Sequence, residues 1–159
     1  MKDKREQGFT LIELLVVSII VGILATLVAM TYSGVQAKNR NAHRQSNINT
    51  LQSQLETYYA EKTKYPTIAE LNSPDWRQKN LKNSPEQASV QDPQWNNKTK
   101  ACTDSNGNVI LASAPAAKCY SYQATTTDGS ACNATVACTQ YSLTATFEGG
   151  EKYVKTSLN

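Results

Sequence analysis

The 22 residues from Phe9 to Met30, FTLIELLVVSIIVGILATLVAM, are apolar at seventeen positions and carry one charge, Glu13. A charge at a bilayer centre costs about 2.5–3.5 kcal/mol on insertion scales, and less near an interface. Glu13 stands five residues into the run, close enough to its end for headgroups to relieve part of that cost. Its chemistry is ion pairing. Four cysteines, Cys102, Cys119, Cys132 and Cys138, offer disulfide formation and lack the paired C-x-x-C spacing of a zinc site. His43 is the only histidine, and the chain has no Gly-rich phosphate loop and no His/carboxylate metal spacing. Neither catalysis, a metal site nor a cofactor is therefore expected.

These residues need elements to position them. A chain of 159 residues suits one domain of modest core, which excludes a large multidomain enzyme. No second apolar run approaches the ~20 residues a bilayer requires, which excludes a multi-span transporter. The net charge of +3 is too small to imply nucleic acid by itself. Phe9–Met30 lacks proline and as a helix would reach ~33 Å, enough to cross a hydrocarbon core. It is apolar all round, unlike a core helix with one polar face. Lys2, Lys4 and Arg5 precede the run and Lys38, Arg40 and Arg44 follow it, so the positive-inside bias sets no orientation. An even number of cysteines in a small polar domain points to disulfides and an exported C-terminal part. The run exceeds the 7–15-residue core of a signal peptide, and Leu27-Val28-Ala29 is a poor cleavage sequence.

The stretch Gly8-Phe9-Thr10-Leu11-Ile12-Glu13-Leu14-Leu15-Val16-Val17 resembles the processing motif of type IV pilins and of the pseudopilins of type II secretion and competence systems. In that family a membrane-embedded aspartic peptidase cuts after the glycine and methylates the new amine. The resemblance implies that Met1–Gly8 is a leader, that the Gly8–Phe9 bond is cut, and that Phe9 becomes the N-methylated terminus. Glycine at the cut leaves the carbonyl unshielded by any Cβ. The resemblance also implies that Glu13 pairs with the terminal ammonium of a neighbouring subunit. Such a buried pair adds little net stability but fixes register, because a stagger that leaves Glu13 unpaired is penalised. Copies joined this way form an open-ended fibre, with the apolar helices along its axis and the polar domains coating it.

The partners implied are copies of the chain itself, the prepilin peptidase, the pilus assembly machinery and the inner membrane, with contact to DNA or a host surface as a further expectation. The location implied is a single-pass membrane protein that then enters an extracellular filament. The expected role is a structural subunit of a surface filament serving adhesion, twitching motility or DNA uptake. The alternatives are a pseudopilin of a secretion or competence system and a single-span anchored binding domain that does not polymerise. Many type IV pilins carry a proline late in the span, where this chain has Met30.

Beyond the leader, 1–8, the chain divides into a filament-core helix over 9–32, an amphipathic continuation over 33–62, a variable connection over 63–101 and a disulfide-stapled sheet over 102–159. Ile48, Leu51, Leu55 and Tyr58/Tyr59 recur at helical spacing, which predicts one helix of about fifty residues stopping at or before Pro66. Its polar face carries Lys38, Arg40, His43 and Arg44, read as a solvated face rather than a DNA-binding one. Pro74, Pro85 and Pro93 predict an irregular connection anchored by Trp76 and Trp95. Val109–Ala112, Cys119–Ala124 and the alternation Tyr141, Leu143, Ala145, Phe147 predict sheet segments, with Gly149-Gly150 as a two-residue turn into Lys152–Leu158.

The fold class expected is α+β, a long helix packed on a small antiparallel sheet. Local pairing, Cys102–Cys119 and Cys132–Cys138, is the expected connectivity, with a Cys119–Cys138 bridge between strands as its rival. Asn97-Lys98-Thr99 and Asn133-Ala134-Thr135 match glycosylation sequons. Asp128 and Glu148 are too few and too scattered for a calcium site.

Overall fold

The computed structural model describes residues 9–81, 90–95 and 102–159. The expected leader with Gly8, Pro85 and the Asn97 sequon lie outside the described residues. Helix α1 runs from Leu11 to Lys62, 52 residues without a proline. It stops where Thr63 adopts a left-handed conformation (φ 56°) and donates its N–H to the Tyr59 carbonyl at 2.7 Å. Pro66, three residues on, has no N–H with which to resume a helix. The chain divides into two compact units, Met1–Lys38 and Asn39–Asn159.

The second unit holds the core. Ile48, Leu51 and Leu55 of α1 are fully enclosed and Tyr58 nearly so, as the spacing predicts. Each such aliphatic side chain contributes about 1.5–3 kcal/mol of burial. They share one cluster with Tyr120, Tyr122, Tyr141, Leu143 and Ala145. These come from a three-stranded antiparallel sheet, β1 Tyr120–Thr125, β2 Gln140–Thr146 and β3 Lys152–Thr156, in the order β1-β2-β3. Tyr120 faces Ala145 and Tyr122 faces Leu143, so inward side chains of neighbouring strands meet on one face. Val109–Ala112 forms isolated bridges in place of a strand: Ala112 meets Ser121 of β1, and Val109 meets Thr103 outside the sheet.

The register corrects the β2–β3 turn. Thr146 faces Lys152, and the Phe147 N–H donates to the Glu151 carbonyl at 2.7 Å. The loop is therefore Glu148-Gly149-Gly150, three residues and not two. Both glycines take positive φ, 112° and 93°. The Phe147 ring stacks on Tyr153 at 5.7 Å, holding Phe147 in the ladder.

The described part of the connection also holds more helix than its prolines imply. Two short helices lie in it, α2 Ile68–Asn72 and α3 Pro74–Asn80. Thr67 and Glu70 form a capping box on α2, and Ser73 caps α3 with Pro74 at its first position. Proline there costs nothing, because that N–H has no helical partner in any case. Trp76 meets Tyr58 edge-on at 5.2 Å, and both Trp76 and Trp95 pack against the core. The cysteines pair locally, Cys102 with Cys119 and Cys132 with Cys138. The backbone carbonyl of Cys138 accepts the Tyr65 N–H at 2.8 Å, tying the chain beyond α1 to the second disulfide.

Candidate assembly segment

Among the described residues, the first unit has no buried side chain. From Leu11 to Val28, α1 is long and apolar enough to cross a membrane, and none of that stretch is buried within the chain. Leu11 is 88% exposed and Phe9, just ahead of the helix, 80%. So much uncovered apolar surface requires lipid or other protein to cover it. Its polar side chains are satisfied locally. The Ser18 hydroxyl donates to the Leu15 carbonyl at 2.8 Å and the Thr26 hydroxyl to the Ile23 carbonyl at 2.7 Å.

Glu13 falls in the first turn of α1, where the helix dipole favours an anion. Its Oε2 accepts the Thr10 N–H at 2.9 Å and the Thr10 hydroxyl at 2.7 Å, and the Glu13 N–H donates to Thr10 Oγ1 at 3.3 Å. This is a capping box, Thr10 at the N-cap and Glu13 three residues on. The sequence signal is the T-x-x-E spacing, which the reading of Glu13 as an isolated charge passes over.

The basic cluster on α1 does not form the solvated face expected. His43 and Lys38 are exposed, but Arg44 is enclosed, with 1% of its side chain accessible. Arg44 Nε and Nη2 donate to the two oxygens of Asp92 at 2.7 and 2.9 Å, and Nη1 donates to Asn41 Oδ1 at 2.7 Å. Arg40 grips Glu148 with Nε at 2.5 Å and Nη2 at 2.7 Å, and Arg44 Nη1 adds a contact at 3.3 Å. Two carboxylates far off in sequence neutralise two of the four basic candidates, which weakens any reading of this cluster as a binding surface for DNA.

The hydrogen bonds from Arg40 hold the Glu148 carboxyl down at about 2, and the Glu148 carboxylate in turn raises the Arg40 guanidinium. Glu148 is thereby committed to arginine, and Asp128 is hydrogen-bonded to Thr126 and Ser130. Among the described residues no three His, Cys, Asp or Glu side chains gather as a metal site would require.

Two further carboxylates of structural weight were not anticipated. Asp92 is one; nothing in its local sequence marks a partner 48 residues away. Glu56 is the other, accepting the hydroxyls of Tyr141 at 2.7 Å and Tyr65 at 2.9 Å and the Leu158 N–H at 3.3 Å.

Residues 3–29 match the family model of the prokaryotic N-terminal methylation motif. Over 65 residues the chain is 40% identical to type II secretion system core protein G of Dickeya chrysanthemi, covering 41% of this chain and 42% of that protein. It is 39% identical over 67 residues to core protein G of Aeromonas hydrophila, covering 42% and 47%. It is 34% identical over 67 residues to the type IV major pilin protein PilA of Myxococcus xanthus, covering 42% and 30%. The chain thus spans less than half the length of the curated relatives it matches. No solved structure matches it. The resemblance to pilins and pseudopilins is borne out over about two fifths of the chain.

Proposed function

We propose that this chain is a pilin-like structural subunit, held in the inner membrane by the first half of α1 and then polymerised with copies of itself into a filament. The observation that carries this reading is the unburied apolar stretch of α1, Leu11–Val28, whose one carboxylate, Glu13, sits in the first turn of the helix. The match to the methylation motif over residues 3–29 supports it. In this reading the prepilin peptidase cuts between Gly8 and Phe9, Phe9 is N-methylated, and Glu13 receives the ammonium of a neighbouring copy. The disulfide-stapled part faces an oxidising compartment. A surface filament for adhesion, twitching motility or DNA uptake is the finer form of the reading.

Mature mass tests it. With the peptidase present, the chain is expected to begin at methylated Phe9. Retention of Met1 would instead indicate a simple anchor, and a start beyond Met30 plain secretion. Glu13→Ala is expected to be processed normally yet to yield no fibres; normal fibres from it would defeat the register role of Glu13.

A second reading, a pseudopilin of a type II secretion system, is supported by the identity to core protein G. Cells lacking the chain separate the two readings. Loss of surface fibres marks a pilin, and loss of protein export with fibres intact marks a pseudopilin.

A further inference from the structure

We propose that the outer edge of β1 is a binding site for an extended peptide segment of another protein, one with apolar side chains beside a lysine or arginine. This role is independent of the filament reading. On the side of β1 away from β2, the Tyr120 C=O accepts the Ala112 N–H at 2.8 Å and the Tyr122 N–H donates to the Ala112 carbonyl at 3.0 Å. Two residues further along a strand the peptide groups point the same way, so the Tyr122 C=O and the Ala124 N–H face that edge too. Beyond them the Thr126 N–H donates to the Ser130 carbonyl at 3.0 Å. Among the described residues nothing pairs with the Tyr122 C=O or the Ala124 N–H. The chain bridges β1 at Ala112 and again at Ala131, and between them one donor and one acceptor stay open.

That open pair lies in a cleft of about 740 Å³ between β1, the start of α2 and the loop closed by Cys132 and Cys138. The size is that of a ligand site. Ile68, Ala69, Ala131 and Ala134 give it apolar walls, and among the described lining residues Glu70 alone carries a charge. These features choose the occupant. One residue of an extended chain offers the N–H and C=O that the Tyr122 carbonyl and the Ala124 N–H require, the arrangement Ala112 already makes one step earlier. A helix has spent both groups on its own turns, and an acyl chain has neither. Main-chain pairing of this kind supplies affinity, and pockets for alternate side chains supply selectivity. The residues on either side of the paired one project to the face that carries Tyr122 and Ala124, where apolar side chains are covered. Glu70 attracts a cation on the bound segment and repels an acidic one.

The experiment uses the full-length, oxidised chain in lipid nanodiscs and follows its backbone amides by NMR. The probe is the capped peptide acetyl-Val-Ala-Val-Lys-amide at millimolar concentration. It is expected to shift the Ala124 amide and slow its hydrogen exchange, while the Leu143 amide in the middle strand stays unchanged. The same peptide N-methylated at its alanine cannot donate to the Tyr122 C=O and is expected to bind about tenfold more weakly. Glutamate in place of the lysine is expected to weaken binding about threefold. Glu70→Gln keeps the capping box of α2 and is expected to erase that difference between the two peptides. Ala134→Trp, at an exposed wall position, is expected to fill the cleft and abolish binding with the fold intact. Equal binding of the N-methylated peptide, or an Ala124 amide unmoved by the probe, would overturn the inference. An Ala124 amide already protected in the free chain would overturn it by showing the edge closed from within. One that responds to the concentration of the chain itself would overturn it in favour of a second copy.

Discussion

Arg44 on α1 and Asp92 in the connection face each other through two parallel hydrogen bonds, 2.7 and 2.9 Å, with 1% of each side chain accessible. The geometry is the bidentate fork that guanidinium and carboxylate share. Removing either partner leaves a charge stranded in the interior. Arg44→Met and Asp92→Leu are each expected to cost about 3–5 kcal/mol in denaturant unfolding of the oxidised chain, whereas the double variant is expected to recover most of that loss. A double variant as unstable as either single one would show that the pair does more than satisfy itself.

Acid is expected to act through Glu148. Its folded carboxyl sits at about 2, below the ordinary 4.5, because Arg40 donates to it. Between those values the unfolded chain binds the proton and the folded chain does not, so stability rises with pH there. The contribution is complete above about pH 4.5 and is lost as pH falls toward about 2. Denaturation midpoints measured from pH 6 downward should fall more shallowly for Glu148→Gln than for the unaltered chain. Parallel curves would remove Glu148 from the acid response.

The two disulfides close loops of different length, with sequence separations of 17 and 6. Chain-entropy arguments give the longer about 3 kcal/mol and the shorter about 2 kcal/mol. Replacing Cys102 and Cys119 together by serine should therefore lower stability more than replacing Cys132 and Cys138. Thermal unfolding of the two double variants decides the order, and the reverse order would mean native contacts outweigh loop closure.

Gly149 holds φ at 112° in the three-residue turn. Nothing crowds a Cβ there, so the cost of Gly149→Ala is conformational and not steric. It is expected to be about 1–2 kcal/mol. Because the turn also aims Glu148 at Arg40, the variant should lose part of the acid sensitivity described above. An alanine variant with unchanged stability and unchanged pH response would sever that link.

The elements legible in the sequence were those built from local periodicity. Ile48, Leu51, Leu55 and Tyr58 mark one helical face, and Pro66 bounds the helix, so α1 emerges with its core stripe. The strand alternation from Tyr141 to Ala145 is equally local. What was misread depended on partners far away. Arg40 and Arg44 read as solvated because Glu148 and Asp92 lie more than forty residues beyond them. Gly149-Gly150 read as a two-residue turn because the Phe147–Glu151 closure depends on how β2 and β3 register. Pro74 read as a breaker, although Ser73 ahead of it makes that position a helix start.

By itself the sequence determined the apolar stretch with its lone carboxylate, because hydropathy and charge are properties of side chains wherever the backbone takes them. It determined the long helix too, since each hydrogen bond there joins residues only four apart. Which carboxylate meets which arginine, which strand lies in the middle, and which turn closes them were decided only in three dimensions. Those contacts join segments whose separation along the chain carries no record of their distance in space, and the fold must form before they exist.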